Sequence, residues 1–165
     1  MNKSILFPFF LLFCILSFSQ EKRNAISLEI AADKEHQYSA EIPESPYFVA
    51  EKILQIYCGE NLLIECETKA DTIYSMKVVK ENKHPNKTIE IKFYQEAKNR
   101  DQIMTMLSVK NPFDKKLLYD AIMFTPISQT WKQTSIIPVY PKVFGFETWP
   151  HSIVTIALEN WRFVD

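Results

Sequence analysis

The side chains of this 165-residue chain that could carry catalysis or hold a metal are few and scattered. His36, His84 and His151 stand far apart, and none has a second ligand at the spacing of His-x-His or His-Glu-x-x-His. Glu147 and His151 are four apart and would align on a helix, but Trp149-Pro150 between them breaks one. Asp114, Asp120, Glu147 and Glu159 show no spacing that marks a carboxylate pair flanking a glycosidic bond. Asp120 lies among apolar neighbours in 117–124 and, if buried there, needs a Lys or Arg partner. Only two glycines exist, Gly59 and Gly145, which excludes a Walker loop, a dinucleotide fingerprint and a Gly-x-Ser-x-Gly elbow. The sequence therefore assigns no catalytic residue, no metal ligand and no cofactor, and it points to binding rather than catalysis.

Two stretches could bind. Lysines at 77, 80, 83, 87 and 92 surround His84 in a charged segment that could touch anionic glycans or headgroups, and whose ordinary reading is a solvated hairpin tip. The connection from Pro138 to His151 carries Tyr140, Phe144, Phe146 and Trp149, with Trp131 just upstream. Aromatics held on a loop at the end of a sandwich stack on sugars, fill a partner's pocket or plug the core. Trp131, Tyr140, Phe144, Phe146, Trp149 and His151 are the candidate binding residues.

The elements that must position them read as strands. Ile26, Leu28 and Ile30 alternate with polar neighbours, and 37–42 repeats the pattern weakly. Ser45-Pro46 resembles a helix start and Gly59 a helix end, with Val49, Ile53, Ile56 and Tyr57 on one helical face, so a short helix is expected over 46–58. From Asn61 onward the chain reads as almost continuous β: 72–80, 88–95, 117–124 and 153–163 alternate at period two, 102–110 is apolar on both faces as a central strand is, and 130–139 is a strand interrupted by Pro138, which favours an edge. The first two of these look like a hairpin around the charged loop 81–87. Asn111-Pro112-Phe113-Asp114 is a turn. About eight strands with short polar links predict a mostly β fold, a single antiparallel immunoglobulin-like β-sandwich over 20–165. Cys58 and Cys66 lie on either side of a turn, and five extended residues carry Cys66 about 17 Å from it. A disulfide needs Cα atoms within roughly 7 Å, so two buried thiols are expected.

The first nineteen residues read as an export signal. Lys3 precedes a wholly apolar run, Ile5–Leu16, and small residues at Ser17 and Ser19 suit cleavage after Ser19 or Gln20. The run is too short to span a bilayer, and Phe13 stands where a lipid-modified cysteine at 14 would need a small residue. No transmembrane segment is expected after cleavage. Without residues 1–19 the chain holds 18 basic and 20 acidic side chains, a balance that does not favour nucleic acid. Residues 20–71 hold 11 acids and 5 bases, and 72–165 hold 9 acids and 13 bases, so the two halves attract each other.

Val109-Lys110-Asn111-Pro112-Phe113, Leu118-Tyr119-Asp120-Ala121-Ile122-Met123, Thr134-Ser135, Pro138-Val139 and Phe146-Glu147-x-Trp149-Pro150 together resemble a group of uncharacterised exported bacterial proteins. The resemblance covers about residues 60–165 and implies a Gram-negative, envelope-directed, Ig-like domain, periplasmic or extracellular. It implies no activity, substrate or catalytic residue. The expectation is a non-enzymatic β-sandwich that binds a protein or a cell-envelope component through the 138–151 connection. The alternatives are a carbohydrate-binding or glycan-acting domain with Trp131 and Trp149 as stacking platforms, and a proteinase inhibitor.

Overall fold

The computed structural model describes residues 21–98 and 100–165. The export signal expected over 1–19 lies outside them. Among the described residues there is no helix, and so none long and apolar enough to cross a membrane. The strands are β1 (Lys22–Arg23), β2 (Ile26–Ala31), β3 (Gln37–Ile42), β4 (Ser45–Pro46), β5 (Phe48–Ala50), β6 (Ile53–Tyr57) and β7 (Asn61–Lys69). They continue as β8 (Thr72–Val79), β9 (Thr88–Lys98), β10 (Gln102–Lys110), β11 (Lys116–Phe124), β12 (Trp131–Thr134), β13 (Phe144–Trp149) and β14 (Thr155–Val164).

Two antiparallel five-stranded sheets form the body. One has the order β13-β10-β9-β7-β8, and the other β12-β11-β14-β6-β5. Two-stranded pairs, β1 with β4 and β2 with β3, sit beside them. Ile64, Ile89, Ile91, Phe93, Leu107 and Val109 of the first sheet join Leu54, Ile56, Leu117, Ala121, Ile156 and Leu158 of the second in one buried cluster, which makes the molecule a β-sandwich. The pairing establishes the two layers; immunoglobulin connectivity does not follow from it.

Three expectations are corrected. The segment 46–58 is strand, not helix: Leu54, Ile56 and Cys58 face inward at period two, while Val49 of the expected helical face is exposed. Leu54–Tyr57 pair with β14, and tertiary pairing overrides the local capping signal. The strands at 72–79 and 88–98 do not form a hairpin, because β7 lies between them. β8 and β9 are both antiparallel to β7, and the charged loop joining them crosses the outer face of β7 near Glu65. The connection from 138 to 151 is not all loop, since it contains β13. Cys58 and Cys66 are both free and buried, as the spacing predicted, and burial pushes their thiols up to about 11 and about 12 respectively.

The chain passes from one sheet to the other at Cys58-Gly59-Glu60, where Gly59 takes φ +100 and donates its N–H to the Phe93 carbonyl at 2.7 Å. That crossing is clamped by a charge. Arg23 is 2% exposed. Its Nε and Nη2 donate to the two Glu60 carboxylate oxygens at 3.0 and 3.1 Å, and Nη2 also reaches the Gln55 carbonyl at 2.6 Å. The guanidinium lies 4.7 Å from the Tyr47 ring centroid and 4.8 Å from that of Tyr57. Glu60 in turn accepts the Tyr57 N–H at 2.7 Å. A guanidinium this buried is tolerated because every face of it has a partner.

Arg23→Ala leaves the Glu60 carboxylate in a dry site without its cation. Urea denaturation of that variant should show a loss of about 3 kcal/mol or more, and a smaller loss for Arg23→Met paired with Glu60→Gln, because breaking one half of a buried pair costs more than removing both charges.

Candidate functional site

The turn after β10 builds the platform for the aromatic segment. Asn111 is fully buried. Its Oδ1 accepts the Phe113 N–H at 2.9 Å, the local turn expected of Asn-Pro. Its Nδ2 donates to the carbonyls of Lys115 at 2.7 Å, Val139 at 2.9 Å and Tyr140 at 3.2 Å. One side chain therefore fixes both the 111–115 turn and the start of the aromatic segment. Val139 also exchanges backbone bonds with Leu117 at 2.8 and 2.9 Å, and Lys142 Nζ reaches the Pro112 carbonyl at 2.6 Å. Sequence reading took Asn111 for a turn former only; its grip on a segment 28 residues later is a tertiary fact.

β13 then runs along the edge of its sheet, with Phe144 opposite Lys110, Phe146 opposite Ser108 and Thr148 opposite Met106. Gly145, Glu147 and Trp149 face inward, and Phe144 and Phe146 face out. Val139 is the reason for a glycine at 145: a Cβ there would lie 2.6 Å from Val139 Cγ2. Glu147 holds the facing segment by accepting the Ile137 N–H at 2.8 Å. Phe144 and Phe146 are 43% and 62% exposed, and their rings stack with centroids 6.1 Å apart and planes at 28°. Lys110 Nζ lies 5.6 Å from the Phe144 centroid, and Lys116 Nζ lies 5.3 Å from that of the exposed Tyr140. Val143 and Ile137 are exposed beside them, two residues the sequence reading passed over because neither is aromatic.

The six candidate residues thus fall in three places. Phe144 and Phe146 share the outer face of β13, and Tyr140 is exposed just before it, beside Lys116 of β11 in the other sheet. Trp149 is 8% exposed, part of the core, with Nε1 donating to Thr134 Oγ1 at 3.0 Å. Trp131 is 48% exposed on the edge strand β12, against Phe124 at 5.6 Å. His151 lies near Trp131's end of the sandwich, lining a depression of about 310 Å3 with Met123, Pro126, Ile127 and Lys132. Its Nδ1 is 3.3 Å from the Ser152 carbonyl. A platform made of Trp131 and Trp149 together is not assembled, because one ring is buried between the layers.

Asp120 has the partner that its sequence context demanded, though on a half-exposed outer surface. Asn160 Nδ2 and Arg162 Nη2 each donate to it at 2.9 Å, and together they hold its carboxyl below the usual range. The lysine-rich loop is largely neutralised. Glu65, buried beneath it, has Lys77 Nζ at 2.8 Å and His84 Nδ1 at 2.5 Å, and Lys87 Nζ reaches Glu67 at 2.7 Å. Lys80 and Lys83 face Glu21 and Glu81 at 3.4 and 3.6 Å. Among the described residues no group of three His, Cys, Asp or Glu side chains gathers as a metal site would require.

Comparison with family models, with curated proteins and with solved structures finds no match to this chain.

Two outcomes follow from this geometry. Gly145→Ala drives a methyl into Val139 and should cost about 1–3 kcal/mol. Combining it with Val139→Ala should recover part of that loss, a positive coupling that a double-mutant cycle in urea would register. The Lys77 and His84 contacts hold the Glu65 carboxyl at about 2, below its ordinary 4.5. A depressed carboxyl contributes its stability above the ordinary value and gives it up as the pH falls towards the folded one. The stability advantage of the native protein over Glu65→Gln should therefore be full above about 4.5 and shrink between there and about 2. Acid titration of the two thermal midpoints checks it, and a constant gap would contradict it.

Proposed function

We propose that the chain is an exported, non-enzymatic β-sandwich whose exposed Phe144–Phe146 pair on β13, with Tyr140 at the turn before it, binds a protein or a cell-envelope component. The observation that carries this is the stacked, solvent-facing Phe144–Phe146 pair on an edge strand held in place by buried side chains. Exposed aromatic rings on a rigid support lose little conformational entropy when a partner covers them, and such rings dominate binding energy where they occur. Val143 and Ile137 are exposed apolar residues in the segment leading to β13, and Lys110 lies over the Phe144 ring. The apolar run at 5–16 supports export, and the resemblance over 60–165 supports an envelope destination.

The test is capture from envelope extract on immobilised protein, read by mass spectrometry beside a panel of envelope glycans. Phe144→Ser with Phe146→Ser should lose the bound species by about tenfold or more, since each buried aromatic is worth on the order of 2 kcal/mol. Trp131→Ser should retain it. Equal capture by both variants would remove the face from consideration.

A further inference from the structure

Antiparallel pairing turns the backbone groups of alternate residues to opposite edges of a strand. The Asn111 N–H reaches the Val143 carbonyl at 3.0 Å, one step beyond the Lys110–Phe144 pair. That bond sets the parity along β13. Val143, Gly145 and Glu147 turn their N–H and C=O toward β10. Phe144, Phe146 and Thr148 turn theirs away, to a side that no strand among the described residues covers.

The two sheets have four edges, and three are blunted. β5 has three residues and a bulge. β12 has four residues and carries Lys132. β8 carries Lys77, its register shifts at Glu67/Thr68, and its Ile73 carbonyl accepts Lys52 Nζ at 3.4 Å. β13 keeps six consecutive registered pairs with no bulge and no cation. Edges of that kind are the ones that accept another strand. Five of the ten exposed large apolar residues among the described ones lie on β13 or in the segment leading to it: Ile137, Tyr140, Val143, Phe144 and Phe146. Apolar surface is therefore concentrated where the hydrogen-bonding edge is open.

We propose that this edge pairs with β13 of a second copy, antiparallel across a two-fold axis, so that two five-stranded sheets become one continuous sheet. The inference goes beyond the binding role above and does not depend on it. A two-fold axis makes the contact self-complementary. Residues opposed in such a pair share a face, and only outward-turned backbone groups can bond, so Phe144 and Phe146 must oppose residues of their own parity. With the axis at Gly145, Phe144 stands opposite the partner's Phe146 and exchanges backbone bonds with it. Gly145 then meets the partner's Gly145 in a non-bonded pair, the closer of the two spacings, where neither chain has a side chain to clash. No charged residue lies among the three central positions, so no like charges meet. Four phenylalanine rings become two cross-strand pairs in one cluster on the outer face, and the aromatic platform is doubled without being covered.

Sedimentation equilibrium of the purified protein should give a dimer mass. Phe146→Pro removes the outward N–H from each copy and costs no bond within the sheet, so it should yield monomer with its fold retained by circular dichroism. Phe146→Ala keeps that N–H and should still dimerise, more weakly. Mixing Phe144→Cys protein with Phe146→Cys protein under oxidation should give a mixed disulfide dimer that neither variant forms alone. A monomeric native protein, or a dimer that Phe146→Pro leaves intact, overturns the proposal. Cross-linking of Phe146→Cys with itself in preference to the mixture overturns the register.

Discussion

Every strand of the two main sheets except the edge strand β12 gives one face to a shared dry layer, and the rest of the molecule is arranged around that condition. Polar groups that enter the layer mostly bring a partner with them, Trp161 Nε1 being an exception among the described residues. Thr105 does so by donating its hydroxyl to the His151 carbonyl at 2.7 Å while accepting the Ile153 N–H at 3.2 Å. Thr155 donates to the Ile56 carbonyl at 2.8 Å. Asn111 closes a turn, a bridge and the start of an edge strand with one amide. These bonds lie where the chain leaves one sheet for the other, which is where ladder hydrogen bonds run out.

Charge is used in the same way. Arg23 and Glu60 are distant in sequence and meet at the crossing between β6 and β7, with two tyrosine rings on the guanidinium. The pair ties the first described strand to the body of the sandwich. Glu65 does comparable work on the outer face, anchoring the loop that must cross β7 to reach β9. The acid-rich first half and base-rich second half of the chain meet partly through such contacts, among them Glu65 with Lys77 and Lys115 with Asp71. Several lysines of the 77–92 stretch face carboxylates, Lys77 and Lys87 among them, which reduces the net charge that loop presents.

Parity and bulges decide which aromatics are seen by solvent. On β13 the even-numbered residues face out and the odd-numbered ones in, so Phe144 and Phe146 are exposed and Trp149, a few residues later, is core. On β14 the register slips between the pairs Asp120–Glu159 and Leu118–Arg162, and Asn160 takes φ +52 there. The slip turns Trp161 inward onto Tyr119, with centroids 4.7 Å apart, and leaves Arg162 outside to meet Asp120. A single residue of offset thus separates a core tryptophan from a surface ion pair.

Much of this was legible in the chain itself. Period-two alternation in 26–30, 62–67 and 117–124 marked strands and their inward faces, because a half-buried strand imposes that period on the sequence directly, and the apolar run on both faces of 102–110 marked a strand with neighbours on both sides, as β10 has. The glycine count excluded nucleotide loops, and the cysteine spacing argued against a disulfide. Segment 46–58 misled because its capping residues and apolar spacing suit a helix equally well, and only β14 alongside decides for strand. The order β8-β7-β9, the partners of Arg23 and Glu65, and the burial of Trp149 beside exposed Phe146 were settled by tertiary structure alone. Local sequence determines whether a residue alternates; which strand lies next to it, and which charge lies above it, depend on contacts tens of residues away that no local pattern encodes.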